Sequence, residues 1–444
     1  MDLTQLLTSS QLIQVSVDGI GTVDLNWIGY VISWIFNLVS DFPGAIAVGV
    51  ILFTVMLKTL VLPLDIYSRV KMKKQSLLME SIRPEMEKLQ KQYANDKNMY
   101  SQKVMELQRA NGFNPLGACL PTIVSLVIFM IVFSAFSQYS QYANLNSYNE
   151  MAKEYSSAVY EYVMTDENSA DDKYFLVAAV EDGLNNPVPD YPKKNEAGVP
   201  VDGDGNELKI YGYYVNYDKF VSYYTAHASE DSPKLPEGFS SLPEEQKNKF
   251  VTDFVRLGAR EAAADYYTAN RPKASLLWIG NLWYPDSMLN KEVPSFSDFR
   301  STIARAAGAI DVNYEESYNE VTYNLTQQKN TYNGYFVLIV LAIGFMFLQQ
   351  FITMRSQKAA NELSSVDGQA ATTNKMMMVI MPIIFGIFSF FYSAAFSIYM
   401  IINTCYSLIS TLIINKVVAV RFEKDSEKKA RTKLQGRAGR KRLK

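Results

Sequence analysis

Five mostly apolar runs, 44–64, 116–136, 335–354, 376–392 and 396–415, constrain this chain more than any other feature. As helices, apolar runs of roughly 18 or more residues match the hydrocarbon thickness of a bilayer. They predict an α-helical integral membrane protein with five transmembrane helices. The mean hydropathy of -0.06 hides them, because strongly polar segments lie between.

The charge of those segments predicts the topology. Residues 66–112 carry ten Lys and Arg, and 416–444 carry twelve against three acids. Residues 138–333 carry 30 acidic and 17 basic residues, and no Lys or Arg precedes Lys58. Basic loops stay in the cytoplasm. The expected arrangement has the N-terminus outside, 66–112 inside, 138–333 outside, and both 355–375 and the tail inside. This is the topology of a multi-pass membrane protein with its termini on opposite sides. Cys119 and Cys405 fall inside predicted spans, so the outer segment has no disulfide and must be held by packing. The opening MDLTQLLTSSQLIQ lacks the basic and long apolar regions of a signal peptide.

An N-terminal part, 1–43, contains WIGYVISWIFNLV, with Trp27, Val31, Trp34, Ile35 and Leu38 on one helical stripe before a DFPG stop. A helix at the membrane interface and a short core helix fit that periodicity equally. The first span is 44–65. A cytoplasmic helical hairpin follows over 66–112, with Leu78, Ile82, Met86, Leu89 and Tyr93 at helical spacing and ANDKN as its turn. Pro84 is expected to kink or restart its first helix. A second span, 113–137, leads to an inserted extracytoplasmic α+β domain over 138–333. Within it KYFLVAAV and LKIYGYYV resemble strands, and 241–271 a helix. The third span is 334–354, a cytoplasmic loop 355–375, and the last two spans 376–392 and 395–416. A basic tail, 417–444, ends the chain. DGDGNE at 202–207 has an alternating-oxygen look, but Glu207 and Tyr213 stand where a calcium loop needs Gly and Glu, which favours a hairpin turn.

Lys58 lies in the middle of FTVMLKTLVLPL. A lysine at the centre of a spanning helix costs roughly 2.5–3.5 kcal/mol on insertion scales. Arg69, at the basic edge, is eleven residues on, about 16 Å of helix, which strains a snorkelling account. No span contains an acid before its cytoplasmic end, and the nearest is Asp65. A water-filled cavity inside the bundle is the stronger alternative. Thr54, Thr122, Ser125, Gln349, Gln350 and the Ser, Thr and Asn residues of the last two spans could line it, although singly such residues often act as helix–helix glue.

Three stretches, TVMLKTLVLPLD, IRPEMEKLQKQYANDK and NGFNPLGACLPTIVSLVIF, resemble the YidC/Oxa/Alb family of membrane protein insertases. SLLWIGNLWYPDS (275–287) and MPIIFGIFSFFYSAAFSIYMIIN (381–403) agree, in the family's order. The resemblance implies a five-helix core around a groove open to the cytoplasm and closed outside. It implies that Lys58, five residues before Pro63-Leu64, is the groove cation, and that Tyr399 and Asn403 face clients. Nascent membrane proteins would be the substrates, sliding past the third and fifth spans into lipid. The family usually has Arg at the cation, and Lys keeps the charge without the planar fork. Ser125, Val127 and YSAA (392–395) also depart from the family pattern, and the outer material, about 140–274 and 288–330, has no counterpart there.

The resemblance implies no cofactor, metal or catalytic residue. The basic residues Lys428, Lys429, Arg431, Lys433, Arg437, Arg440, Lys441 and Arg442 fit contacts with the ribosome or with membrane lipids, or simple topological anchoring. The Sec translocon is a further expected partner. An enzyme is disfavoured by a single histidine, His227, and by the lack of hydrolase, metalloprotease and P-loop motifs. A transporter is the alternative, because an intramembrane cation also marks solute paths, but no internal repeat supports it.

Overall fold

The computed structural model describes residues 12–17, 19–40, 42–112, 115–165, 170–181, 187–195, 200–202, 204–228, 232–303, 313–356, 379–380, 382–384 and 386–441. In chain order it forms α1 (Trp27–Leu38), α2 (Ala45–Gln92), α3 (Lys97–Ala110), α4 (Pro115–Tyr160), β1 (Leu176–Glu181), β2 (Pro187–Asp190), β3 (Lys193–Lys194), β4 (Pro200–Val201) and β5 (Ile210–Val215). There follow α5 (Tyr217–His227), α6 (Glu244–Ala274), α7 (Phe296–Ile303), α8 (Tyr314–Val321), α9 (Thr326–Asn330), α10 (Val337–Ser356), α11 (Pro382–Phe391) and α12 (Ala394–Lys441).

Two compact units result. One comprises Leu25–Ser140, Lys273–Asn290 and Tyr332–Lys444; the other comprises Met1–Asp24, Gln141–Pro272 and Lys291–Thr331. The expected outer segment 138–333 is thus shared between them, with 273–290 in the first. Among the described residues four helices are long and apolar enough to cross a membrane: Ala45–Ser68, Leu126–Tyr160, Val337–Arg355 and Ala394–Val417. The protein is therefore a mostly helical, multi-pass membrane protein. The remaining run, 376–392, contains the shorter apolar α11, and 376–378, 381 and 385 lie outside the described residues.

In the membrane unit, the first span and the first arm of the hairpin are one 48-residue helix. Pro84 does not restart it, and α2 continues through both Pro63 and Pro84. Packing explains the continuity. Ile82 and Met86, on either side of Pro84, are buried against Tyr100 and Val104 of α3, which holds the helix across the missing N–H. Asp96 caps α3 by accepting from Met99 N at 3.0 Å.

Helix α1 is capped by Asn26, whose side chain accepts from Gly29 N at 2.8 Å. It is apolar on two faces, and this corrects the single predicted stripe. Ile28, Ile32, Ile35 and Phe36 are buried, whereas Trp27, Tyr30, Trp34 and Leu38 are exposed. The buried face meets α2 at Gly49, where an added Cβ would collide with the Phe36 ring at Cδ1 and Cε1. That ring cannot easily retreat, because Tyr139 and Trp283 flank it at 5.1 and 5.6 Å. Gly49→Val is therefore expected to lower thermal stability by about 1–3 kcal/mol through overpacking. Adding Phe36→Ala should recover part of that loss; strictly additive losses in thermal unfolding would contradict the contact.

The second unit has one large core. Tyr148, Tyr155, Val159 and Val163 of the α4 region pack with Phe175, Phe220, Val251, Val255, Phe299, Ile303 and Tyr318. Its sheet runs β2-β1-β5, antiparallel throughout, with an irregularity between Ala179 and Val180. The two expected strands are β1 and β5, and the expected helix is α6. Strand β1 is central: Leu176 and Ala178 join the large core, and Val177 and Ala179 join a smaller one with Met164 and Tyr214. Burial on both faces explains why VAAV carries no polar alternation. Residues 12–23 belong to this unit, with Ile13 bridging to Tyr213 and Ile13, Val15, Ile20 and Val23 buried in the core. In the DGDGNE segment, Asp202 Oδ1 accepts from Asp204 N and Asn206 N at 2.9 and 2.8 Å, the pattern of a turn rather than a metal loop. Those hydrogen bonds, led by the one from the Asn206 side chain, hold the Asp202 carboxyl below its usual range.

Candidate functional site: Lys58 and the cleft between α2 and α12

Lys58 is half-buried on α2, and its Nζ donates to Ser407 Oγ of α12 at 3.1 Å. A hydroxyl 349 positions away accepts from it, because α2 and α12 pack side by side. One residue on, Thr59 Oγ1 approaches Tyr406 OH at 3.4 Å.

Beyond this contact the two helices leave a cleft of about 430 Å³. Leu62 and Ile66 line it from α2, and Tyr406, Ile409, Ile413 and Val417 from α12. Leu62 and Ile66 stand four and eight residues after Lys58, so the cation heads the same helical face. The cleft is apolar apart from Ser410 and the Tyr406 hydroxyl.

Thr54, Thr59 and Thr411 are bonded to their own helices. Thr54 is fully buried and donates to Val50 O at 2.6 Å, while Thr411 donates to Ser407 O at 2.5 Å. In apolar surroundings a threonine satisfies its hydroxyl on the preceding turn. Thr54 accordingly presents no free hydroxyl beside Lys58. Tyr399 is buried, its ring 5.4 Å from Phe136 and 5.8 Å from Phe396. Asn403 is half-buried one turn before Ser407, so Tyr399, Asn403 and Ser407 share a face of α12. Gln349 is half-buried toward the end of α10. The side chains of Thr122 and Ser125 lie outside the described residues, as do those of Lys428, Lys429, Arg431, Lys433, Arg437, Arg440 and Lys441, and the whole of Arg442. The backbone from Lys428 to Lys441 is helical, continuing α12.

Sequence reasoning passed over Asp286, Asn333 and Gly334. Asp286 is fully buried, and its carboxylate accepts from Tyr335 N at 2.7 Å and Leu338 N at 2.6 Å, where α10 begins. An acid in WYPDS, between aromatic residues and ahead of an apolar run, is a readable sign of a remote helix cap.

A half-buried cation on a spanning helix, at the head of an apolar cleft, marks the candidate site of a helical, multi-pass membrane protein. Comparison with known proteins narrows the class. The profile of the 60Kd inner membrane protein family matches residues 38–181 and 267–421. The chain belongs to this family, that of the YidC/Oxa membrane protein insertases. The protein named membrane protein insertase YidC of Fusobacterium nucleatum subsp. nucleatum is 37% identical over 97 residues, 22% of this chain and 45% of that one. Its namesake in Oceanobacillus iheyensis is 35% identical over 106 residues, 23% of this chain and 40% of that one. That of Hahella chejuensis is 32% identical over 112 residues, 24% of this chain and 19% of that one. The chain thus spans less than half the length of these relatives. No solved structure matches it. Residues 182–266 fall between the two matched stretches.

Proposed function

We propose that the protein is a membrane protein insertase and chaperone for newly made membrane proteins, acting alone or beside the Sec translocon. The observation that carries this reading is Lys58, held by Ser407 at the head of the apolar cleft. A cation there attracts an acidic client tail, and the apolar walls beyond it accept a client helix. Five spans form the core, with α11 as the fourth. The termini lie on opposite sides, N-terminus out and C-terminus in, as the basic segments 66–112 and 416–444 require. The exposed aromatic face of α1 rests in the outer interface. Tyr399, Asn403 and Gln349, with Thr122 and Ser125, border the client path, and Thr54 supports Lys58 from behind. The basic end of α12 meets the ribosome or anionic lipid. No catalytic residue, metal or cofactor takes part.

A photo-crosslinking residue in place of Leu62 leaves Lys58 intact and tests the reading. It is expected to capture a stalled nascent membrane protein. Capture of a small solute with no nascent chain would turn the assignment to a transporter.

A further inference from the structure

We infer that Asp286 is the positioning residue that seals the outer mouth of the groove, by tying the outer starts of α10 and α12 to the segment 281–286. The inference rests on the insertase reading and goes beyond it, in assigning the seal to named atoms. Helix α10 begins at Val337. Phe336, the residue before it, has no side-chain acceptor and holds φ at +64°. A bulky residue in that region persists only where its surroundings hold it. Asp286 provides the hold. Its two oxygens take the N–H groups of Tyr335 and Leu338, on either side of Phe336. A carboxylate here satisfies an N–H that the first helical turn leaves open, and it sits at the favourable end of the helix dipole.

Gly334 leaves the room. A Cβ at that position would overlap Asp286 Oδ1, so an added methyl group would drive the carboxylate away. Asn333, fully buried, locks the same turn: its side chain donates to Asn281 O and Pro285 O and accepts from Asn281 N.

The segment also holds the last span. Tyr284 O and Leu282 O accept from Ala394 N and Ala395 N, each at 2.9 Å, in the first turn of α12. Trp283 O accepts from Ser140 Oγ of α4 at 2.7 Å. The short run 281–286 therefore joins α4, α10 and α12 at one end. At the other end, α2 and α12 part around the cleft. A bundle tied at its outer end and parted at its inner end can admit a client from the cytoplasm without leaking outward.

The test uses the full chain in membranes, with Cys119→Ser and Cys405→Ser and one reporter at a time. Ser397→Cys reports the seal, because Ser397 is fully buried one turn inside Ala394. Leu62→Cys reports the inner cleft. A membrane-impermeant maleimide added outside should leave the Ser397→Cys reporter unlabelled when Asp286 is intact. With Asp286→Ala, and separately with Gly334→Ala, labelling should rise roughly tenfold, as a tenfold larger open population requires. Asp286→Asn keeps an acceptor oxygen and should fall between. Inside labelling of the Leu62→Cys reporter should be the same throughout. Unchanged outer labelling in both Asp286→Ala and Gly334→Ala overturns the inference. So does outer labelling accompanied by a changed Leu62→Cys pattern, which signals general unfolding. A Leu62→Cys reporter that never labels from inside in the parent chain would instead refute the cytoplasm-open groove.

Discussion

Lys58→Glu is expected to abolish the protein's ability to support growth of a bacterium depleted of its own insertases, whereas Lys58→Arg preserves it. The sign of the charge decides the outcome. A unit charge 4 Å from a client carboxylate is worth about 4 kcal/mol at an effective dielectric near 20. Reversing it turns an attraction of that size into a repulsion. The introduced carboxylate would meet Ser407 as an acceptor, so the hydroxyl could turn to donate, and local folding would survive. The loss would therefore be one of client attraction rather than of structure. Arg keeps the charge and adds a planar fork. Ser407→Ala removes only a hydrogen bond, worth about 1 kcal/mol to orientation, and should reduce insertion mildly. Equal growth with Arg and Glu at position 58, at matched protein levels, would remove the cation from the mechanism.

The apolar runs were legible because membrane insertion depends on composition over a span, which a single sequence displays. Lys58 was legible for the same reason, as a charge where charge is costly. Its partner was not. Ser407 is 349 residues away, and nothing in its neighbourhood singles it out among the serines of the last span. Periodicity likewise reports that a side chain is apolar without saying what covers it. The face of α1 read as one stripe splits in the structure, with Ile35 against the bundle and Trp27 and Trp34 outside. At Pro84 the local rule favoured a break, but the Ile82 and Met86 contacts with α3 overrode it. The strands were readable from their β-branched and aromatic runs. The incorporation of residues 12–23 into the same unit was not, since that pairing joins Ile13 to Tyr213 across most of the domain. Asp286 was missed because a capping residue is normally sought beside its helix, and this one arrives from 49 residues before Tyr335.

Glu320 carries the second large effect, on the unit built around Tyr155. Its carboxylate takes a fork from Arg260, at 2.7 and 2.8 Å, and a hydrogen bond from Tyr155 OH at 3.0 Å. Arg256 adds a longer contact at 3.8 Å. Glu320 is 12% exposed and Arg260 20%, so the pair is screened far less than a surface ion pair. Burial by itself raises the Glu320 pKa, but the Arg260 hydrogen bonds and the charges of Arg256 and Arg260 outweigh it, and the carboxyl sits below its usual value. Glu320→Ala leaves two arginines and a tyrosine facing a void. Removing one partner of a buried pair costs about 3–5 kcal/mol, and partial exposure brings the expected loss to about 2–4 kcal/mol. The unit should then unfold several degrees lower, read by the near-ultraviolet tyrosine signal of the full chain in lipid nanodiscs. The same network gives a pH dependence. A carboxyl with a depressed folded pKa stabilises fully above its unfolded value, near about 4.3, and loses that contribution as pH falls through the folded value. The parent chain should therefore lose more stability than Glu320→Ala between neutral pH and the acid range. Parallel pH profiles for the two would show that Glu320 does not hold the unit together.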